Sequence, residues 1–279
     1  MTAAPPRILL TGAAGGVGTR LRPLLREAYG SIRLSDRVEP AGTLEPGETF
    51  MRADLADPAQ CAAIVAGIDA IVHLGGHSTE GPWETILQAN IVGLHALYEA
   101  ARVAGVKRIV FASSNHAVGF YRRDRAIDHA APPRPDTRYG VSKAFGEALG
   151  ALYADKHGMR VLNLRIGNVG DVPIDRRRLA IWITPADLMQ LVRIGIEHPE
   201  LRYEIVYGMS DTAPHAWWDN RRAIELGYRP TGRSADHVTA VLALEEAPDP
   251  VSDRFQGGTY CAQEYDHPEP DASGSGNAG

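Results

Sequence analysis

The chain has 279 residues, of which 44% are hydrophobic and 23% charged, and its formal net charge is −5. A chain of this length and composition can bury one sizeable core. Its slightly acidic balance provides no basic face for a nucleic-acid backbone, so we exclude nucleic acid as a partner.

The cysteines and the apolar runs indicate where such a chain works. Cys61 and Cys261 are the only cysteines, and they lie far apart, without a CxxC or Cys/His spacing. This pattern predicts neither a disulfide framework nor a metal site, and it is typical of the reducing cytoplasm. The apolar run after "MTAAPPR" is too short for a signal-peptide core, and no run approaches a membrane span. We therefore expect a cytoplasmic protein without a membrane partner.

Short apolar runs alternate with amphipathic stretches along the first 166 residues. The runs that predict buried strands are 7–11, 31–35, 70–75, 108–113 and 161–166, and the helical patterns lie at 16–28, 58–66, 84–105 and 138–157. This alternation predicts an α/β fold, in which a Rossmann-type doubly wound parallel sheet carries helices on both faces.

After residue 166 the pattern loosens, although one further helix start is well marked. Thr184 can cap it, Pro185 suits its first position and Asp187 favours its N-terminal end. The stretch 265–279 is rich in Gly, Ser, Pro and acidic residues, which predicts a disordered tail. We expect a single domain at 1–264, with a nucleotide-binding core at 1–166 and a small C-terminal substrate-binding portion at 167–264.

A glycine-rich stretch, "TGAAGGVGTRL", follows the first strand. Gly12, Gly15 and Gly18 form a GxxGxxG array between that strand and a helix. Glycines there permit a tight turn and let a pyrophosphate reach the N–H groups of the helix N-terminus. A glycine-rich turn without a ligand is the alternative, but the position at the first strand favours dinucleotide binding.

Acidic residues after the next two strands bear on the choice of cofactor. Asp36 lies at about the distance expected for a carboxylate that binds the adenosine ribose, and it would repel the 2′-phosphate of NADP. We therefore favour NAD, although Arg37 could receive such a phosphate. Asp54 and Leu55 could flank the adenine, and a plain acid at a helix N-terminus is an equal alternative for Asp54.

Tyr139 and Lys143 lie four residues apart in a helical pattern, which places both on one face. The ammonium of a nearby lysine can lower the pKa of the phenol toward neutrality and can also hydrogen-bond a ribose. Tyr139 can then act as a base on an alcohol. An exposed i,i+4 contact is the alternative, which the upstream nucleotide motif disfavours.

Polar residues end the strand predicted at 108–113, at the sheet edge where doubly wound folds bind their ligands. Ser114 is the best candidate for a third catalytic group, because its hydroxyl can orient a reacting hydroxyl. Asn115 and His116 are candidate substrate contacts, and a polar cluster that merely closes the strand is the alternative. Further along, Arg176, Arg177 and Arg178 form a positive cluster, for which a solvated turn is the simplest explanation.

Together, "TGAAGGVG", "HLGG" (73–76), "NIVG" (90–93) and "YGVSK" resemble the extended short-chain dehydrogenase/reductase superfamily. Longer stretches, "HLGGHSTEGPWETILQANIVGL", "RIVFASSNHAVGFY", "LRIGN", "WWDN" and "RFQGGTY", resemble the uronate dehydrogenases within it. This resemblance implies NAD-dependent oxidation at C1 of cyclic D-galacturonate or D-glucuronate to the aldarolactone, with no metal. It also implies a homo-oligomer built on the long helices 84–105 and 138–157, for which solvent-covered helices are the alternative.

The resemblance further implies roles for particular residues. Tyr139 is the base, with Lys143 and Ser114 as its catalytic partners. The cofactor contacts implied are Gly12, Gly15, Gly16, Val17, Gly18, Asp36, Arg37, Asp54, Leu55, Leu74, Gly75, Gly76, Asn90, Tyr139 and Lys143. The substrate contacts implied are Ser78, Ser114, Asn115, His116, Tyr139, Asn168 and Arg177, where Arg177 pairs with the C6 carboxylate and Asn168 replaces a serine common in the family.

Three other functions remain open from the sequence. A nucleotide-sugar epimerase or dehydratase shares the same motifs, but the chain leaves limited room for a larger substrate lobe. A redox-sensing NAD module commonly loses the tyrosine or lysine, and both are present here. A neutral aldose 1-dehydrogenase shares the mechanism, but has no use for a carboxylate-binding arginine.

Overall fold

The computed structural model describes residues 5–267. Its strands are β1 (Ile8–Thr11), β2 (Ile32–Asp36), β3 (Glu48–Arg52), β4 (Ala70–His73), β5 (Arg108–Ser114), β6 (Arg160–Ile166), β7 (Asn168–Val169), β8 (Trp182–Ile183) and β9 (Tyr203–Gly208). Seven of them form one sheet in the order β3-β2-β1-β4-β5-β6-β9. Every pairing in that sheet is parallel.

Successive strands are added outward on one side of β1 as far as β3, and on the other side from β4 onward, so the winding of the sheet switches between β1 and β4. Leu10 of β1 pairs with Leu34 of β2 on one side and with Val72 of β4 on the other. In doubly wound sheets, such a switch point leaves a crevice at the carboxyl ends of the strands, where ligands bind. The short β7 and β8 pair with each other beside the main sheet.

The helices lie between the strands. They are α1 (Gly16–Tyr29), α2 (Pro58–Val65), α3 (Trp83–Ile86), α4 (Gly93–Val103), α5 (Arg138–His157), α6 (Arg178–Ile181), α7 (Pro185–Glu197), α8 (Arg221–Glu225), α9 (Val238–Leu242), α10 (Pro250–Arg254) and α11 (Thr259–Ala262). A π-helical segment (Leu87–Val92) joins α3 to α4, and a 3₁₀ turn (Asn115–Val118) follows β5.

Two apolar clusters cover the two faces of the sheet. On β1, Ile8 and Leu10 belong to the cluster formed with α1 and α7, whereas Leu9 belongs to the cluster formed with α2, α4 and α5. This division follows from the two-residue period of a strand, because successive side chains point to opposite faces. Burial on both faces explains why the strands read as continuous apolar runs.

The fold class predicted from the sequence is confirmed, and the predicted strands and helices lie within two residues of the observed ones, with one exception. The predicted helix 84–105 is broken into α3, the π-helical segment and α4. Thr184 caps α7 as predicted, because its hydroxyl accepts from the Asp187 amide at 3.0 Å. Strand β9 was not predicted, and it brings part of the 167–264 portion into the main sheet. Most of the predicted tail lies outside the described residues.

Within residues 5–267, no helix is long and apolar enough to cross a membrane. The same part of the chain contains no cluster of three or more His, Cys, Asp or Glu residues able to hold a metal ion.

Candidate active site

A cavity of about 850 Å³ opens at the carboxyl edge of the sheet. Its size is at the upper end for ligand pockets, which span roughly 300–1,000 Å³. The predicted residues that line it are Gly12, Gly15, Gly16, Val17, Gly18, Asp36, Arg37, Asp54, Leu55, Leu74, Gly75, Gly76, Ser78, Ser114, Asn115, His116, Tyr139, Lys143, Asn168 and Arg177. One cavity therefore brings together the residues predicted for a nucleotide and those predicted for chemistry.

The glycine array packs so tightly that side chains are excluded at two positions. A Cβ on Gly18 would lie 2.2 Å from the carbonyl oxygen of Gly12, and one on Gly12 would lie 2.7 Å from the amide nitrogen of Gly75. Gly12 also has φ +70°, in the left-handed region that favours glycine. Gly15 is the N-cap of α1, so the N–H groups of the first turn face the cavity. A Cβ on Gly16 would meet nothing closer than 3.9 Å.

Asp36 ends β2 with its carboxylate held in place by backbone amides. Its Oδ2 accepts from the Ala14 amide at 3.0 Å, and its Oδ1 accepts from the Arg37 amide at 2.7 Å. Arg37 is exposed at the rim of the same cavity. The close backbone approach at the glycines, the open helix N-terminus and this carboxylate fit a dinucleotide with a free ribose diol.

Asn90 is the one predicted cofactor residue that does not line the cavity. Its Oδ1 accepts from the His77 amide at 2.7 Å, and its Nδ2 donates to the His77 carbonyl and to the Ser142 hydroxyl, both at 2.9 Å. Asn90 thus holds the loop after β4 from behind, within the π-helical segment. Its part in cofactor binding stays a prediction.

Ser114, Tyr139 and Lys143 converge where β5 ends beside α5. Tyr139 and Lys143 are buried on one face of α5, and the Lys143 ammonium lies 5.4 Å from the centre of the Tyr139 ring. The ammonium donates to the Ala112 carbonyl of β5 at 2.7 Å. Ser114 is placed to hydrogen-bond the phenol, an interaction that lowers the pKa of Tyr139.

The net pKa direction at Tyr139 is opposite to the prediction from the sequence. Burial is the largest cause and raises the pKa of Tyr139, and the hydrogen bond from Ser114 offsets only part of this rise. Burial also lowers the pKa of Lys143 to about 8. Desolvation disfavours the charged form of both groups.

His116 lies between Tyr139 and two residues that sequence reasoning did not single out. Its Nδ1 contacts Oδ2 of Asp136 at 2.7 Å, and its ring stacks on Tyr260 with the centroids 4.0 Å apart. Burial lowers the pKa of His116, while the carboxylate of Asp136 raises it. The net direction is downward, which favours the neutral imidazole. With Nδ1 donating to the carboxylate, Nε2 can accept a hydrogen bond.

Of the three consecutive arginines, Arg177 reaches furthest into the cavity wall. Its Nε donates to the Gln256 carbonyl at 2.9 Å. When the amide of Asn115 is assigned from its hydrogen-bond partners, its oxygen accepts from Nη2 of Arg177 at 2.8 Å and its nitrogen donates to the Ile166 carbonyl at 3.2 Å. Burial lowers the pKa of Arg177 to about 10, so its guanidinium is charged at neutral pH.

The neighbouring arginines are placed differently. Arg176 is exposed, and its amide donates to Glu246 at 2.8 Å. Arg178 forms an ion pair with Asp175 and lines the cavity with Arg177. Ser78 is exposed at the cavity wall and Asn168 is half-buried there, and their substrate roles stay predictions.

Sequence reasoning missed four residues that support the site: Glu80, Asp136, Gln256 and Tyr260. Glu80 accepts from the Tyr139 amide at 2.9 Å and from Arg138 at 2.7 Å, which fixes the start of α5. Gln256 and Tyr260 belong to "RFQGGTY", a stretch that contributed to the family resemblance but whose residues were given no individual role. Asp136 directly precedes the N-cap Thr137, and neither it nor Glu80 carries a recognisable motif of its own.

A doubly wound sheet with a dinucleotide cradle and a buried serine, tyrosine and lysine at its carboxyl edge defines an oxidoreductase of the extended short-chain dehydrogenase/reductase class. Comparison with known proteins agrees with this class. Residues 8–186 match the NAD dependent epimerase/dehydratase family.

The relatives narrow the family further. Uronate dehydrogenase of Pseudomonas putida is 46% identical over 266 residues, which are 94% of this chain and 98% of the relative. The structure of glucuronic acid dehydrogenase from Chromohalobacter salexigens is 43% identical, with a TM-score of 0.89 over 92% of this chain and 97% of that chain. A tyrosine-to-alanine variant of uronate dehydrogenase from Agrobacterium tumefaciens, complexed with NAD, is 41% identical, with a TM-score of 0.87 over 92% and 97% of the two chains. The chain belongs to the NAD dependent epimerase/dehydratase family and, within it, to the group of relatives named uronate dehydrogenase.

Proposed function

We propose that this protein is an NAD-dependent uronate dehydrogenase that oxidises C1 of cyclic D-galacturonate or D-glucuronate to the aldarolactone. The observation that carries this proposal is the charged guanidinium of Arg177 in the same cavity as Ser114, Tyr139 and Lys143. A base at one place and a buried cation at another suit a sugar that carries both a reactive hydroxyl and a carboxylate. Relatives with these activities support the assignment.

In this proposal the portion at 1–166 binds NAD and the portion at 167–264 completes the sugar site. NAD, when bound, accepts a hydride at its nicotinamide ring. The glycines of the first turn allow the pyrophosphate to approach the backbone, and Asp36 binds the adenosine ribose hydroxyls. Lys143 hydrogen-bonds the other ribose, and Asp54 and Leu55 flank the adenine.

Tyr139 removes the proton of the C1 hydroxyl while C1 gives up its hydrogen as a hydride, so that C1 becomes the lactone carbonyl. The ring oxygen of the sugar assists by stabilising the positive charge that develops at C1. Ser114 orients the reacting hydroxyl by hydrogen bonding, and the positive charge of Lys143 stabilises the phenolate form of Tyr139.

The other end of the sugar is bound by Arg177. Two of its five N–H donors are used by Gln256 and Asn115, which leaves three for a carboxylate. Ser78, His116 and Asn168 bind the sugar hydroxyls, and Asn115 adds a contact with its remaining N–H.

The cellular location and the oligomeric state are two further expectations that accompany this function. Cys61 and Cys261 are both free and buried, which supports a cytoplasmic enzyme. Apolar side chains are exposed along α4 and α5, with Val103 75% and Leu152 50% exposed, which supports a homo-oligomer built on these helices.

The test is to mix the protein with NAD and galacturonate, glucuronate, galactose, glucose or UDP-glucose, and to follow NADH absorbance. We expect turnover of the two uronates. Arg177→Ala should raise KM for galacturonate at least tenfold, whereas Arg176→Ala, at the exposed neighbour, should leave it unchanged. Equal turnover of galactose would favour a neutral aldose dehydrogenase, and activity only with UDP-glucose would favour an epimerase or dehydratase.

A further inference from the structure

Gln256 is a buried polar residue next to the sugar-binding end of the cavity, and every hydrogen-bonding group it has is used. It has no solvent exposure. Its side-chain Nε2 donates to the carbonyls of Arg122 and Arg125, both at 3.0 Å, and its Oε1 accepts from Nε1 of Trp218 at 2.9 Å. Its amide donates to the Tyr121 carbonyl at 2.8 Å. Its remaining group, the backbone carbonyl, accepts from Arg177.

The contact with Arg177 is supported by the next residues of the chain. Gly258 has φ +66°, and a Cβ there would lie 2.6 Å from Cδ and Nε of Arg177. The arginine side chain therefore packs directly against the backbone of this segment. Its position is set by two neutral acceptors, the Gln256 carbonyl and the Asn115 amide oxygen.

Because both acceptors are neutral, they orient Arg177 without forming an ion pair with it. In the part of the chain that the structure describes, Arg178 is paired with Asp175, but no ion pair of Arg177 is found. A carboxylate at this position would orient Arg177 equally well, but it would neutralise the charge that an anionic ligand needs. Carbonyl and amide dipoles fix the guanidinium without an ion pair. The carboxylate of Asp136 raises the pKa of Arg177 through its charge, but its Oδ2 is directed at Nδ1 of His116. The guanidinium is therefore left to pair with an anionic ligand.

We propose that Gln256 is a positioning residue, whose anchored side chain holds the backbone carbonyl that orients Arg177 toward the carboxylate of the sugar. This inference rests on the proposed function, because it assumes that Arg177 binds that carboxylate. Gln256 itself makes no contact with substrate. Its contribution should therefore appear in KM for the uronate rather than in kcat or in KM for NAD.

The first experiment measures steady-state kinetics of Gln256→Leu, which keeps the bulk of the side chain and removes its three hydrogen bonds. We expect KM for galacturonate to rise about tenfold or more, while kcat and KM for NAD stay within about twofold. Asn163→Leu is the control for the loss of a buried polar side chain, because Asn163 is equally buried and its side-chain Nδ2 donates to the Glu204 carbonyl at 3.0 Å. This control should leave KM for galacturonate unchanged.

The second measurement is a double-mutant cycle with Arg177→Ala. If Gln256 acts through Arg177, Gln256→Leu should raise KM no further when the guanidinium is already absent. Should Gln256→Leu fail to fold, Trp218→Phe takes its place, because it removes the indole N–H bond to Gln256 and still supplies an aromatic ring that can stack on Tyr207.

The outcomes distinguish the positioning role of Gln256 from the carboxylate-binding role of Arg177. An unchanged KM in Arg177→Ala would contradict the carboxylate-binding role and the positioning role together. A raised KM in Arg177→Ala with an unchanged KM in folded Gln256→Leu or Trp218→Phe would overturn the positioning role alone. Additive effects in the cycle would also overturn it.

Discussion

Nδ1 of His116 and Oδ2 of Asp136 lie 2.7 Å apart, and the Asp136 side chain has no exposure to solvent. The room for this carboxylate comes from two glycines, because a Cβ on Gly119 or Gly257 would lie within 2 Å of Oδ2. Asp136 thus receives the N–H of the imidazole and fixes which nitrogen faces the cavity. It also accepts from the Thr137 hydroxyl at 3.0 Å.

Asp136→Asn should therefore weaken sugar binding without altering the cofactor end. The amide can donate to Nδ1, which would favour the other tautomer and turn Nε2 from an acceptor into a donor. We expect kcat/KM for galacturonate to fall about 10- to 100-fold, in line with about 1–3 kcal/mol for an unsatisfied buried partner. Asp124→Asn, in an exposed pair with Arg122, should behave as wild type. Equal kinetics in both variants would remove Asp136 from the site's support.

Lys143 should lower the stability of the protein at neutral pH. Its pKa is lowered by burial to about 8, against about 10.4 in an unfolded chain. Below pH 8 both states hold the proton, so the full cost of burying the ammonium is present. Between about pH 8 and 10.4 the unfolded state binds more protons, and stability therefore rises with pH.

Lys143→Met removes this cost together with the bond to the Ala112 carbonyl. We expect the variant to be inactive yet more stable at pH 7 by about 2 kcal/mol. The free-energy cost that corresponds to the pKa difference exceeds the free energy of one lost hydrogen bond. Its advantage should shrink as the pH rises from 8 to 10. Chemical denaturation of both proteins at pH 7, 8, 9 and 10 measures this, and a variant less stable than wild type at pH 7 would refute it.

Asp36 should set the preference for NAD over NADP. In the proposed site a 2′-phosphate would approach its carboxylate, and loss of that charge leaves Arg37 as the nearest cation along the chain. We expect Asp36→Ala to lower kcat/KM for NAD and to raise the NADP-to-NAD ratio at least tenfold. If Arg37 then receives the phosphate, Asp36→Ala combined with Arg37→Ala should lose the gain. An unchanged ratio in the single variant would show that discrimination resides elsewhere.

The glycine array offers an internal comparison. At Gly18 a Cβ would lie 2.2 Å from a backbone oxygen, whereas at Gly16 the nearest atom would be 3.9 Å away. We expect Gly18→Ala to destabilise the protein by about 1–3 kcal/mol, because α1 must move away from β1. Gly16→Ala should keep the thermal midpoint of the wild type. Thermal unfolding without cofactor compares the two, and equal midpoints would contradict the close packing.

The sequence predicted well whatever depends on local periodicity. The Tyr139 and Lys143 pair was located by its helical spacing, and α5 places both residues as that spacing requires. The first strand and the glycine turn followed from short-range pattern in the same way. The break between α3 and α4 was not foreseen, because one π-helical turn shifts the register without changing composition.

What the sequence missed depends on contacts between distant segments. The Gln256 carbonyl meets Arg177 across 79 residues, and nothing in the spacing of either motif specifies this contact. The rise in the pKa of Tyr139 has the same origin, because desolvation is set by the whole pocket rather than by the neighbouring lysine. Strand β9 was missed because Tyr203 and Glu204 interrupt its apolar run at a sheet edge.

The residues predicted to bind NAD end at Lys143, whereas the proposed sugar end of the cavity is supported by Gln256, Gly258 and Tyr260, near the end of the described chain. During synthesis, the nucleotide-binding turn can therefore form more than a hundred residues before the segment around Gln256 has been made. The proposed sugar site is complete only when the segment around Gln256 has docked against Arg177. Substitutions in that segment can retune which sugar is accepted while the earlier half of the pocket stays intact.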